Sequence, residues 1–147
     1  MKLGISAIPL FLGGVIYILY REPNLVMFSW FSSLGLTDLI NGIRELAGPS
    51  VRFIPEWVIF SLPNALWVLS GTLIFSHIWE VRKKEKIFWI SIFVFLAVGS
   101  EIGQHFKLIA GSYDHADLLL MLVAVAIALK LTSNPNCLND EERPHTI

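Results

Sequence analysis

The chain has 147 residues, enough for one domain, and is 54% apolar and 16% charged, with a net charge of -1 and a mean hydropathy of +0.63. No basic face is available to grip a phosphate backbone, so nucleic acid is not an expected partner, and the lone Cys137 excludes an internal disulfide and a cysteine-based metal site. The charges are grouped rather than spread, which leaves the long uncharged stretches of a helical membrane protein.

An apolar helix needs about 20 residues to cross a bilayer core. The first candidate span is 3–20. Its weakly positive start resembles a signal peptide, but bulky Tyr17, Leu19 and Tyr20 lead directly into Arg21 with no small-residue cleavage pattern, so a retained span is expected. The stretch 24–36 is apolar and too short to cross, which makes it interfacial or re-entrant. In 37–47, Leu36, Leu39, Ile40, Ile43 and Leu46 recur at helical spacing, and Asp38, Asn41, Arg44 and Glu45 take the opposite face. Thr37 is placed to cap this helix, and Gly48 and Pro49 to end it. It is expected either to lie amphipathically on a membrane surface or to pack on the end of a bundle.

The second span is 57–79, with an aromatic residue at each end, the third 87–106 and the fourth 117–131. The loop 80–86 holds Arg82, Lys83, Lys84 and Lys86, the densest positive group in the chain, and short loops of this kind stay cytoplasmic. Both termini then lie inside, with Lys2, Lys130 and Arg143; Arg21, Arg44, Arg52 and Lys107 fall outside. The expected architecture is all-α, an integral membrane bundle of four transmembrane helices over 1–132 with an outer amphipathic surface helix, followed by a polar cytoplasmic tail, 133–147.

One stretch breaks the apolar pattern: 101–117, EIGQHFKLIAGSYDHAD. Counted from Lys86, Glu101 lies about 22 Å along the third helix, in the outer third of a core about 30 Å thick. Gln104 and His105 follow at i+3 and i+4 on the same face. Ser61 and Asn64 reach a similar depth on the second span, where Pro63 can free a carbonyl, and Asp114 and Asp117 sit at the start of the fourth. If these helices are neighbours, Asn64, Glu101, Gln104, His105, Asp114 and Asp117 converge on one outer-leaflet pocket. A carboxylate at that depth costs about 2.5–3.5 kcal/mol on insertion scales, so Glu101 should face protein or water.

Plainer readings stand beside this one. Asp114-x-x-Asp117 is also an N-cap with an acidic third position, and Glu101 can act as bundle glue to Asn64, Lys107 or a histidine. His77 reads as an interface residue, and His145 in the tail is uninformative. Glu101, His105 and His115 are weak metal candidates, because Glu-x-x-Gln-His is not a recognised ligand spacing. Gly-x-Ser-x-Gly, a phosphate loop and a dinucleotide fingerprint are all missing, so no cofactor is expected. Gly99 and Gly103 form a G-x-x-x-G pair, a face suited to a homo-oligomer or a membrane partner.

The stretch resembles the VanZ-like membrane proteins, which carry a Glu-x-x-Gln pair near the outer end of one helix and an Asp-x-x-Asp opening the next. Here these are Glu101 with Gln104 and Asp114 with Asp117, joined through the turn 110–117; 61–67, SLPNALW, resembles the polar start of the family's earlier span. The resemblance covers about half the chain, from Ser61 to the end of the fourth span. Gly111 stands near a usual arginine, Asn64 replaces the more usual Asp and His, and the Asn and Gly usual further along the last helix are missing from 118–131. The resemblance implies a small helical bundle in the bacterial cell (inner) membrane and an envelope or antibiotic-resistance theme, without an assigned reaction. Together these readings lead to a non-catalytic protein whose pocket binds membrane lipids or a lipid-linked cell-wall precursor. The alternatives are a membrane enzyme using Glu101 as acid or base, with or without metal, and a structural subunit of a membrane complex.

Overall fold

The computed structural model describes residues 2–23, 25–109 and 113–133. Gly111 and the tail from 134 onward, with Cys137, Arg143 and His145, lie outside the described residues. All regular elements among them are helical: α1 (Lys2–Tyr20), α2 (Val26–Ser33), α3 (Thr37–Ala47), a 3₁₀ segment (Gly48–Phe53), α4 (Glu56–Phe60), α5 (Leu62–Ile78), α6 (Lys83–His105) and α7 (His115–Thr132). Three stretches, Leu3–Tyr20, Lys83–His105 and His115–Thr132, are long and apolar enough to cross a membrane, and Leu62–Ile78 is a shorter apolar helix.

Polarity is arranged inside out. Phe11, Val15, Phe95, Leu96, Leu119 and Val123 are among the large apolar side chains exposed along α1, α6 and α7, whereas the largest fully buried side chains are Thr72, Pro63, Ser6, Ser61, Ser70 and Ser76. An apolar exterior of this extent suits lipid and is rare in a soluble monomer. The interior is small and hydroxylated, as helices need in order to approach one another where no hydrophobic effect drives them together.

Helix α5 stands at the centre, packed against α1, α6 and α7. Two of its hydroxyls bond locally or to α1: Thr72 Oγ1 donates to Val68 O at 2.8 Å, and Ser70 Oγ donates to Ser6 O at 2.6 Å, whereas Ser76 Oγ is buried without a partner. Two glycines set the close approaches. A Cβ at Gly13 of α1 would lie 2.7 Å from Trp67 Nε1, and one at Gly71 of α5 would run into the Phe93 ring of α6. On α7 the buried positions Asp117, Met121, Ala124 and Ala128 repeat at spacings of four, three and four, a seam of the coiled-coil kind facing its neighbour.

The α4–α5 stretch departs from a straight span. Pro63 has no N–H for the carbonyl four residues back, and the helix breaks at Ser61 between the five residues of α4 and the seventeen of α5. Seventeen residues are about 26 Å, slightly less than a bilayer core. This is why α5 is the short helix of the four.

Helix α3 keeps the expected bounds but not the expected cap. Thr37 is its first helical residue, Leu36 precedes it without a side-chain cap bond, and Gly48 and Pro49 continue into the 3₁₀ segment. It carries three sectors. Ile40 and Arg44 face the bundle; Arg44 donates to Ile18 O and Arg21 O, the free carbonyls at the end of α1. Leu39, Ile43 and Leu46 stay exposed, and Asp38, Asn41 and Glu45 are exposed on the remaining side. A Tyr20–Ser50 hydroxyl pair at 3.0 Å adds a second tie between α1 and the 3₁₀ segment.

At the end of α6 the chain turns through a Schellman motif, with Leu108 N donating to Gly103 O at 2.8 Å and Lys107 N to Gln104 O at 3.0 Å. The motif puts Lys107 at φ 58°, in the left-handed region that glycine occupies more cheaply. Lys107→Gly is therefore expected to stabilise the protein by about 0.5–1 kcal/mol, read as a higher midpoint of thermal unfolding in detergent. An unchanged or lower midpoint would contradict the assignment.

Candidate functional site

At the end of the bundle where α6 stops and α7 begins, a cavity of about 320 Å³ is enclosed by α1, α4, α5, α6 and α7. Each element contributes for a local reason. The break at Ser61 turns Asn64 of α5 toward α7, where its Nδ2 donates to Asp117 Oδ2 at 3.2 Å. Glu101 is only 4% exposed, and its Oε1 accepts from the backbone N–H of Asp114 at 3.1 Å, so α6 holds the residue that begins α7. Asp114 in turn caps α7 through Ala116 N to its Oδ1, at 2.9 Å.

The polar floor is incomplete. Asp117 is 8% exposed, and its Oδ1 is buried without a hydrogen-bond partner. In the same lining, Arg21 holds its guanidinium carbon over the rings of Tyr17 at 5.3 Å and Phe60 at 5.1 Å, and its buried Nε also lacks a partner. Trp67 and Gln104 complete the lining. Three carboxylates therefore share the cavity with one cation. Leaving a buried polar atom unmatched costs about 1–3 kcal/mol, more for a charged group, so these two atoms mark the cavity as unfinished rather than sealed.

A second hollow, about 290 Å³, lies beside Glu101 among α5, α6 and α7. It shares Asn64, Trp67, Glu101 and Gln104 with the first, and adds Val68, Phe93, Ala97, Ser100 and Met121. A polar chamber thus adjoins a more apolar one through shared residues.

Of the six residues expected to converge, Asn64, Glu101, Gln104, Asp114 and Asp117 line the cavity together. His105 does not; it is exposed, with its ring edge-on to Phe106 at 5.2 Å and Tyr113 at 4.7 Å. His115 is also exposed, and its Nδ1 pairs with the Tyr113 hydroxyl at 3.0 Å. Of the weak metal candidates Glu101, His105 and His115, only Glu101 lines the cavity. Among the described residues no three His, Cys, Asp or Glu side chains gather as a metal-holding group. His77, at the other end of the bundle, pairs its Nδ1 with Ser6 Oγ at 2.8 Å and is an interface residue of α1 and α5.

Sequence reading missed Arg21, Tyr17, Phe60 and Trp67. A usable signal was present: Arg21 ends the first span with Tyr17 one turn earlier, and in an up-down bundle that end meets the start of the second span. The glycine pair also divides. Gly103 is occupied by its own turn, where a Cβ would lie 2.8 Å from Ile109 Cδ1, whereas Gly99 meets open space beside an apolar groove between α6 and α7.

Comparison with protein-family models, characterised proteins and solved structures found no significant match to this chain. The cavity's own chemistry carries the functional reading. Among the described residues it offers carboxylate acceptors, the Arg21 guanidinium, the amides of Asn64 and Gln104, and the aromatic walls of Tyr17, Phe60 and Trp67.

Two substitutions separate pairing from surplus charge. Asn64→Ala removes the one donor to Asp117 and is expected to cost about 1–3 kcal/mol of stability. Asp117→Asn keeps an acceptor for Asn64 and removes the buried charge, so it should leave the thermal midpoint unchanged or raised. A large loss with Asp117→Asn would make the carboxylate a structural element.

Proposed function

We propose that the chain is a four-span membrane protein, similar to the VanZ-like proteins, whose cavity around Glu101 and Asp117 opens at the outer leaflet. It binds the polar head of an envelope lipid or lipid-linked cell-wall precursor. The observation that carries this reading is the buried, unpartnered Oδ1 of Asp117 beside a polar chamber that adjoins an apolar hollow. Such a pair of chambers fits an amphiphile, with its head at Asp117 and Arg21 and its chain along Phe93 and Met121.

Several features support the placement in the membrane. With α4, the α5 region extends over residues 56–78 and lies between helices long enough to cross, so it serves as the fourth span. The Arg82–Lys86 group at the opposite end favours a cytoplasmic position for that end and for both termini of the bundle. The exposed Leu39, Ile43 and Leu46 of α3, at the cavity end, then rest in the outer interface as an amphipathic surface helix. The site lies at headgroup depth, and the protein belongs in a bacterial cell membrane.

Full-length protein carrying Glu101→Gln or Asp117→Asn should retain at most about a tenth of wild-type envelope-lipid binding in native mass spectrometry, the loss of one charge-assisted hydrogen bond. Binding equal to wild type in both variants would sink the proposal.

A further inference from the structure

Resting on that reading, we infer that the cavity selects a zwitterionic head bearing a primary ammonium next to a phosphate, as an ethanolamine phospholipid does. Three observations lead to this chemistry. Asp117 Oδ1 is a buried acceptor without a donor, in a residue more than nine-tenths buried, so it calls for an N–H or O–H from the ligand. Glu101 and Asp114 add two more carboxylates to the lining, so a cationic donor is favoured over a neutral one. Arg21 is the single cation among the described residues of the lining, its Nε without a partner and its guanidinium carbon over the rings of Tyr17 and Phe60.

An ammonium supplies three donors and no acceptor, which matches the acidic wall. A guanidinium is the side chain suited to phosphate oxygens. A purely anionic head would meet three carboxylates and one arginine, and like-charge opposition works against it. A quaternary ammonium has no N–H to give Asp117 Oδ1, so it leaves the buried acceptor unmatched. The apolar hollow lined by Val68, Phe93, Ala97 and Met121 distinguishes a lipid from its free headgroup, because only the lipid fills both chambers.

The test uses the full chain in detergent and native mass spectrometry with phosphatidylethanolamine, phosphatidylglycerol and phosphatidylcholine of identical acyl chains. Phosphatidylethanolamine should bind about tenfold or more tightly than either of the others, the effect of one charge-assisted hydrogen bond. Asp117→Asn should remove that preference, whereas Arg21→Gln should weaken all three lipids and keep their order. Free phosphoethanolamine should compete only weakly. Equal binding of the three lipids by wild type, with Asp117→Asn still lowering it, would overturn the ammonium assignment and leave the lipid pocket standing. Binding unaffected by Asp117→Asn, Glu101→Gln and Arg21→Gln would overturn both. The thermal midpoint of each variant shows whether it is folded.

Discussion

Helix α5 is narrow, and three other helices lean on it. Ala65, Ser70, Gly71, Thr72 and Ser76 keep its surface close to the backbone, and Gly13 of α1 clears space for Trp67. In lipid no hydrophobic effect holds helices together, so short side chains and hydroxyl-to-carbonyl bonds take that role. The consequence reaches beyond packing. Because α1, α6 and α7 all come close to one helix, Arg21, Glu101 and Asp117 are carried to the wall of a single cavity that Asn64 also lines.

That wall is held by a chain of dependent contacts. Arg44 of α3 binds the last carbonyls of α1 and so holds the end that presents Tyr17 and Arg21. Glu101 accepts from Asp114 N, and Asp114 caps α7, which fixes where Asp117 stands. Asn64 satisfies one oxygen of Asp117 and leaves the other. A bundle selected for stability alone has little reason to keep that second oxygen buried and unmatched, since an apolar pair of the same shape is often as stable. Unfinished polar pairing beside empty volume is what a binding site costs its fold.

Much of this was legible in the residues, and the exceptions share a cause. The uncharged stretches located three helices long and apolar enough to cross a membrane and the shorter α5, the Leu-Ile spacing located α3 to its ends, and Pro63 marked the break between α4 and α5. Counting along the helices grouped Asn64, Glu101, Gln104, Asp114 and Asp117, and these five line one cavity. Spacing along a helix does not say which way the chain leaves it, however. His105 shares a face with Glu101 by arithmetic, but it lies at the last turn of α6, where the chain reverses through Lys107 and draws it to Tyr113. Gly103 is consumed by the same reversal. Arg21 read as a loop charge because Phe60, the second ring it meets beside Tyr17, is some forty residues away in sequence and only tertiary packing unites them.

The proposed function requires the Glu101–Asp117 cavity to be open to water on the side of the membrane opposite the Arg82–Lys86 loop. Cysteine labelling in intact cells tests it most directly, because Gln104 lines the cavity and Cys137 lies in the tail. In a Cys137→Ser background, Gln104→Cys should react with a membrane-impermeant thiol reagent without permeabilisation, whereas wild-type Cys137 should react only after it. Gln104→Cys that reacts only in permeabilised cells, or not at all in folded protein, would contradict the claim.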